Sequence, residues 1–277
     1  MNILFDLLRE PFAQRALIAG ALVSVVAAMI GVILVLRRLS MLGHALGDIG
    51  FFGAALTLAL GWSQHPLLGT VVPIFVVIVG AFGIMWMSQR NGSGDIVIGM
   101  TATGALALGI MLTALWQGGS GQIFSLLFGS LFAINDGLFF ELTISVSLFV
   151  LAAFLLCYQR FFAIAYDTDF ARTRGLAISW YNGIFSILAA LIVAIGMRMM
   201  GALLISCLII FPAITARLWV SRFSRLIWLA AGVSLLCFVI GFAVTAVTRI
   251  PAGSAIVLAN IALWAGSAVC RKLLKNY

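Results

Sequence analysis

Charge is what this sequence most conspicuously lacks. Asp, Glu, Lys and Arg together make up 9% of its 277 residues, while hydrophobic residues make up 64%; soluble domains carry about one quarter charged residues. That shortage excludes a water-exposed globule. Histidine is scarcer still, with His44 and His65 as the two copies. No HExxH pair can be written from them. Gly118-Gly119-Ser120-Gly121 has the GxSG form of an intramembrane serine protease, but no histidine follows residue 65 to act as its base. The four cysteines, Cys157, Cys207, Cys237 and Cys270, each sit in an apolar run without CxxC spacing, which excludes a disulfide framework or a zinc knuckle. The net charge of +8 does not argue for nucleic acid, because the basic residues stand singly or in small groups between apolar stretches.

What is present is a succession of long apolar runs. A bilayer leaves the backbone two ways to satisfy its polar groups, helices or a closed barrel. Barrel strands alternate polar and apolar over about 10 residues. Here the runs are continuous over roughly 20 residues, the length a helix needs to cross about 30 Å of hydrocarbon. The expectation is an all-α, polytopic integral membrane protein, one transmembrane domain over 1–277. Nine candidate spans fall at about 15–36, 44–61, 66–87, 96–116, 138–158, 178–197, 200–216, 226–247 and 252–270. The pair around Arg198 is the least separated, so a count of eight is the alternative. Residues 122–134 are too short to span and read as a re-entrant or interfacial helix. Asp6, Arg9, Glu10 and Pro11 precede the first run, which reads as a span and not as a cleavable signal.

Basic residues set orientation. With the Arg37-Arg38 loop placed in the cytoplasm, alternation puts 12 of the 16 basic residues inside and leaves Arg9, Arg15, Arg198 and Arg249 outside. The bias favours nine spans, an external N-terminus and a cytoplasmic C-terminus. The longest charged loop, 159–177, then lies inside. It runs polar, then helical, and stops at Gly175, as a short interfacial or docking helix would, with a plain solvated loop as the alternative. No segment remains to fold an ATP site, so energy has to come from a partner.

Ionisable residues within spans are costly and few. His44 and Asp48 are four apart at the start of the second span, hence on one helical face. Gly43, Ala45 and Gly47 around them permit close helix approach. An imidazole and a carboxylate so placed form half of a divalent metal site, which a two-fold dimer would complete. The alternative is a histidine–aspartate bond tethering neighbouring helices. His65, in an outer loop, reads as solvated or as a minor capture residue. Asp136 and Glu141 flank the outer start of the fifth span; Asp136 can attract cations or cap the helix, and Asp95 reads as a cap of the fourth.

Several segments carry a resemblance in fixed order. They are Glu10-Pro11-Phe12, Arg37-Arg38-Leu39-Ser40, Phe128-Gly129-Ser130, Asp167-x3-Ala171-x3-Gly175, Gly201-Ala202-Leu203-Leu204-Ile205, Phe211-Pro212-Ala213 and Pro251-Ala252-Gly253. Together they resemble, nearly end to end, the permease subunits of bacterial zinc/manganese/iron-type metal-ion ABC transporters. The resemblance implies a type II ABC importer-like permease in the bacterial cytoplasmic membrane, with no ATPase of its own and no permanently bound cofactor. It also implies a homodimer, cytoplasmic ATPase subunits, an extracytoplasmic metal-binding protein, and a transported divalent ion coordinated by His44 and Asp48. ATPase coupling would fall on Asp167, Asp169, Ala171, Arg172, Arg174 and Gly175. A span broken at Pro212 would mark the transport path. Family members commonly place the acid before the histidine at the second span; here the order is reversed, so their depths in the membrane are exchanged and the ion stays unnamed. A permease for a metal chelate or vitamin, and a non-transporting scaffold, are the alternatives.

Overall fold

The computed structural model of the chain describes residues 10–62, 68–91, 94–115, 126–129, 137–248 and 250–275, and all regular structure among them is helical. The elements are α1 (Pro11–Leu36), α2 (Ser40–Ala59), α3 (Leu68–Asn91), α4 (Gly94–Leu115) and α5 (Gly137–Leu156). The short α6 (Tyr158–Tyr166) and α7 (Thr168–Thr173) follow. The chain then runs through α8 (Ile178–Met200), α9 (Ala202–Trp219), α10 (Phe223–Thr248) and α11 (Ala252–Lys275). Among the described residues nine of these, all but α6 and α7, are long and apolar enough to cross a bilayer, in the number and places the sequence leads one to expect. The molecule is a multi-pass membrane protein.

The helices divide into a centre and a periphery. In α1 and α8, 78% and 72% of the span is buried, against 22% in α5 and in α11. A helix apolar on all sides belongs in such a centre. α1 packs on α9 and α10, while α2 packs on α4, α3 and α9. Large side chains on the periphery, such as Met100, Phe149, Trp228 and Leu258, point outward, as lipid permits. Close approach sets the centre: a Cβ at Gly31 of α1 would overlap the Ile209 carbonyl of α9.

Two turns at one end of the bundle close in the same way. After α1, the Leu39 N–H donates to the Leu34 carbonyl at 2.8 Å and the Arg38 N–H to that of Val35 at 3.3 Å. After α7, the Leu176 N–H donates to the Ala171 carbonyl at 3.2 Å and the Gly175 N–H to that of Arg172 at 3.0 Å. This paired pattern places one residue in the left-handed region, usually glycine. Gly175 meets the requirement at φ 77°; the other turn uses Arg38 at φ 59°. A side chain there costs about 1 kcal/mol.

Four expectations need correction. Arg198 lies inside α8, and the chain turns instead at Gly201, φ 87°. A Cβ there would overlap the Leu127 carbonyl and the Gly129 amide. Pro212 does not break its span: α9 runs through it. The proline forfeits one backbone bond, which membrane helices tolerate when neighbours enclose them, and Pro212 is buried. Asp95 stands within the first turn of α4, not ahead of it; there it complements the helix dipole. The segment 159–177 forms two helices, α6 and α7, parted at the extended Asp167. Of 122–134, residues 126–128 form a helical turn, Gly129 follows at φ 69°, and the remainder falls outside the described residues. All four cysteines are free thiols; Cys207 and Cys237 are buried and Cys270 is exposed.

Candidate metal-binding site

α2 starts directly after the Arg38 turn, so His44 and Asp48 occupy its second and third turns. Their neighbours one step back, Gly43 and Gly47, press against α9. A Cβ at Gly47 would stand 2.8 Å from Ser206 Oγ and 3.2 Å from the Ala202 carbonyl. A side chain at 47 would therefore push the site helix outward. Ser206 keeps its hydroxyl on its own helix, donating to the Ala202 carbonyl at 2.9 Å.

His44 Nε2 and Asp48 Oδ2 are 3.6 Å apart, with side chains 53% and 9% exposed respectively. The separation is too long for a good hydrogen bond. Among the described residues neither side chain bonds to another helix of this chain. A tetrahedral ion with N and O ligands at about 2.1 Å holds the two donor atoms about 3.4 Å apart. The spacing of the pair is near that value, with the acid buried and the imidazole exposed. No third His, Cys, Asp or Glu joins them among the described residues. One chain provides two donors, and an ion needs more.

The other expected site residues separate into groups. His65 and Asp136 lie outside the described residues. Pro212 is not brought to the pair; it sits on α9, one turn past Ile209, the residue that faces Gly43. At the opposite end of α2 a 150 Å³ cavity is lined by Thr57, Pro73, Met197 and Arg198, among others. Thr57 is about 14 Å from Asp48 along the helix. The Arg198 guanidinium lies 4.7 Å from the Phe139 ring and bonds Thr70 Oγ1.

In the α6–α7 segment the residues take distinct parts. Asp167 caps α7, its Oδ1 accepting from the Asp169 and Phe170 amides at 3.0 and 2.9 Å. Ala171 is fully buried. Asp169, Arg172 and Arg174 are exposed, and Arg174 lies 4.9 Å over the Phe170 ring. α6 is moored by Phe161, whose ring meets Phe154 and Phe185 at 6.0 and 5.6 Å.

Sequence reasoning used Arg37 as a marker of topology and missed its contact. Its Nη1 donates to Asn182 Oδ1 at 2.8 Å. No signal in the sequence joins two residues so far apart, although a polar Asn182 in an apolar span was a sign that something meets it.

Comparison with known proteins gives the same picture over nearly the whole chain. The model of the ABC 3 transport family matches residues 9–271. The manganese import system permease protein ScaB of Streptococcus gordonii is 29% identical over 256 residues, which is 90% of this chain and 87% of that protein. The high-affinity zinc uptake system membrane protein ZnuB of Haemophilus influenzae is 28% identical over 260 residues, 94% and 97% of the two chains. Among solved structures, PsaBC from Streptococcus pneumoniae in complex with Fab superposes with a TM-score of 0.83 at 26% identity, covering 96% of this chain and 94% of that one. An inward-facing putative metal-chelate type ABC transporter shares the fold, with a TM-score of 0.75 at 15% identity. The chain belongs to the ABC 3 transport family.

Proposed function

We propose that this ABC 3 transport family chain is the membrane-spanning permease subunit of an ATP-driven importer, and that its cargo is a divalent metal ion such as zinc, manganese or iron. The observation that carries the reading is the His44–Asp48 pair: nitrogen and oxygen donors 3.6 Å apart on one face of a membrane helix. The names of the relatives, manganese and zinc permeases, support the same class of cargo.

Two donors per chain call for two chains. A two-fold homodimer brings four donors to one ion. Binding at such a site has to be weak enough to release the ion. The 12-to-4 distribution of basic residues supports a cytoplasmic-membrane location with the α6–α7 end and the C-terminus inside. Exposed Asp169, Arg172 and Arg174 then face the cytoplasm, where ATPase subunits would dock. Buried Ala171 and capping Asp167 would keep α7 rigid enough to pass their movement on. The opposite end would receive the ion from an extracytoplasmic binding protein. ATP would act by favouring one of two packings of the dimer.

The test is uptake into liposomes by the chain reconstituted with its ATPase partner, read by elemental analysis across several divalent metals. ATP-dependent accumulation that is lost in His44→Ala and Asp48→Ala, with assembly intact, is the expected result. Undiminished uptake by both variants would refute the site, and accumulation of a chelate in place of free metal would refute the cargo.

A further inference from the structure

A second polar cluster lies at the same end of the bundle as His44, and it has the opposite sign. A cavity of about 380 Å³ opens where the α1–α2 turn meets the ends of α3, α4 and α8 and the α6–α7 junction. Its size falls within the roughly 300–1,000 Å³ of small-molecule sites. Arg37 and Arg38 line one side; Leu42, Ile84, Ile98 and Ile164 form apolar walls.

Three observations show that the cavity is short of negative charge. Arg37 is half-buried, and its recorded partner is the neutral Asn182 amide oxygen, which occupies one of five N–H donors. Among the described residues no carboxylate lies within ion-pair distance of either arginine. Burial pulls the Arg37 pKa below its ordinary value, as expected of a cation taken from water without a counter-charge. Backbone strain at Arg38 is a separate observation. Arg38 holds φ 59° in a turn that glycine would close at no cost. A side chain kept at such a position points to a use for it.

We propose that this cavity binds the phosphate of an anionic phospholipid, with Arg37 and Arg38 gripping the headgroup and the apolar walls taking the glycerol and upper acyl carbons. Basic pockets between membrane helices at the headgroup level take such lipids, and the guanidinium fork fits phosphate oxygens in pairs. The walls favour a lipid over a soluble anion, which would leave them bare. The lipid would join the α1–α2 turn that launches the site helix to the α6–α7 junction. The inference depends on the chain crossing a membrane and not on what it transports.

The test uses the full chain in detergent, stripped of lipid and titrated with phosphatidylglycerol, phosphatidylcholine or inorganic phosphate, with bound lipid counted by native mass spectrometry. One phosphatidylglycerol per chain should bind about tenfold more tightly than phosphatidylcholine. Arg37→Gln with Arg38→Gln should remove that preference. Ala165→Trp, which fills the cavity from α6 and keeps both charges, should weaken phosphatidylglycerol by a similar factor. Arg222→Gln, at an exposed arginine of the same end, should leave it unchanged. Unaltered phosphatidylglycerol binding in the double variant or in Ala165→Trp overturns the proposal, as does its displacement by millimolar inorganic phosphate. Should the double variant not fold, Ala165→Trp alone decides.

Discussion

Within a dozen residues the chain builds one cluster suited to a cation and another suited to an anion. His44 and Asp48 project from α2, and Arg37 and Arg38 close the turn before it. Each cluster pairs a more enclosed side chain with an exposed one: buried Asp48 with His44, and half-buried Arg37 with Arg38. They differ in what stabilises the enclosed charge. Asp48 has an imidazole 3.6 Å away that can share an ion with it. Arg37 has a neutral amide at 2.8 Å. The difference teaches that burial alone does not mark a cargo site. What matters is which partner the enclosed group would take: a cation at the pair we propose for cargo, an anion at the turn we propose for lipid.

The comparison can be broken by removing one charge at a time. Asp48→Asn keeps volume and removes the anionic donor, and should lower metal uptake in liposomes by at least about a hundredfold, since even outer-shell changes cost metal sites about 10–100-fold. Full transport in this variant would dissolve the distinction between the clusters. Exchanging the two residues, His44→Asp with Asp48→His, keeps both donors on the face. Uptake should persist at a reduced rate with a changed ranking of metals, read by competition among zinc, manganese and iron.

The next effect is structural. Gly47→Val should force α2 off Ser206 and destabilise the chain by about 1–3 kcal/mol, seen as a lower melting temperature in detergent. The smallest effects sharpen the contrast between the two turns. Arg38→Gly should relieve about 1 kcal/mol of backbone strain and raise the melting point of lipid-free protein by about 2 °C. Gly175→Ala, at the equivalent position after α7, should shift it by a similar amount in the other direction. Equal and same-signed shifts would mean that Arg38 is not strained.

Much of this fold can be read from the chain because lipid is a strict solvent. It demands about 20 apolar residues per crossing, and that demand places the nine spanning helices, α1 to α5 and α8 to α11, within a few residues. Gly175 likewise announces the end of α7, because few other residues adopt its conformation. Other features escaped for physical reasons. Arg198 looks like a break because it is charged, yet an arginine near a helix end can stay helical and lay its guanidinium on Phe139. Pro212 looks like a break because it lacks an N–H, yet enclosure by neighbours holds α9 together. The i, i+4 spacing puts His44 and Asp48 on one face but says nothing of which is enclosed. That depends on α9 reaching Gly47, a contact between distant parts of the chain. The partnership of Arg37 with Asn182 is hidden for the same reason.

At the end of the bundle away from Arg37 and Arg38, three stretches of backbone touch where side chains would have been. Gly129 and Gly201 abut each other, and Gly253 abuts Phe128. Contacts of backbone on backbone leave no soft side chain to absorb a displacement. Kinematically the α8–α9 corner, residues 126–129 and the head of α11 therefore form one link. Any opening of the molecule at that end has to swing this link whole, about joints located elsewhere.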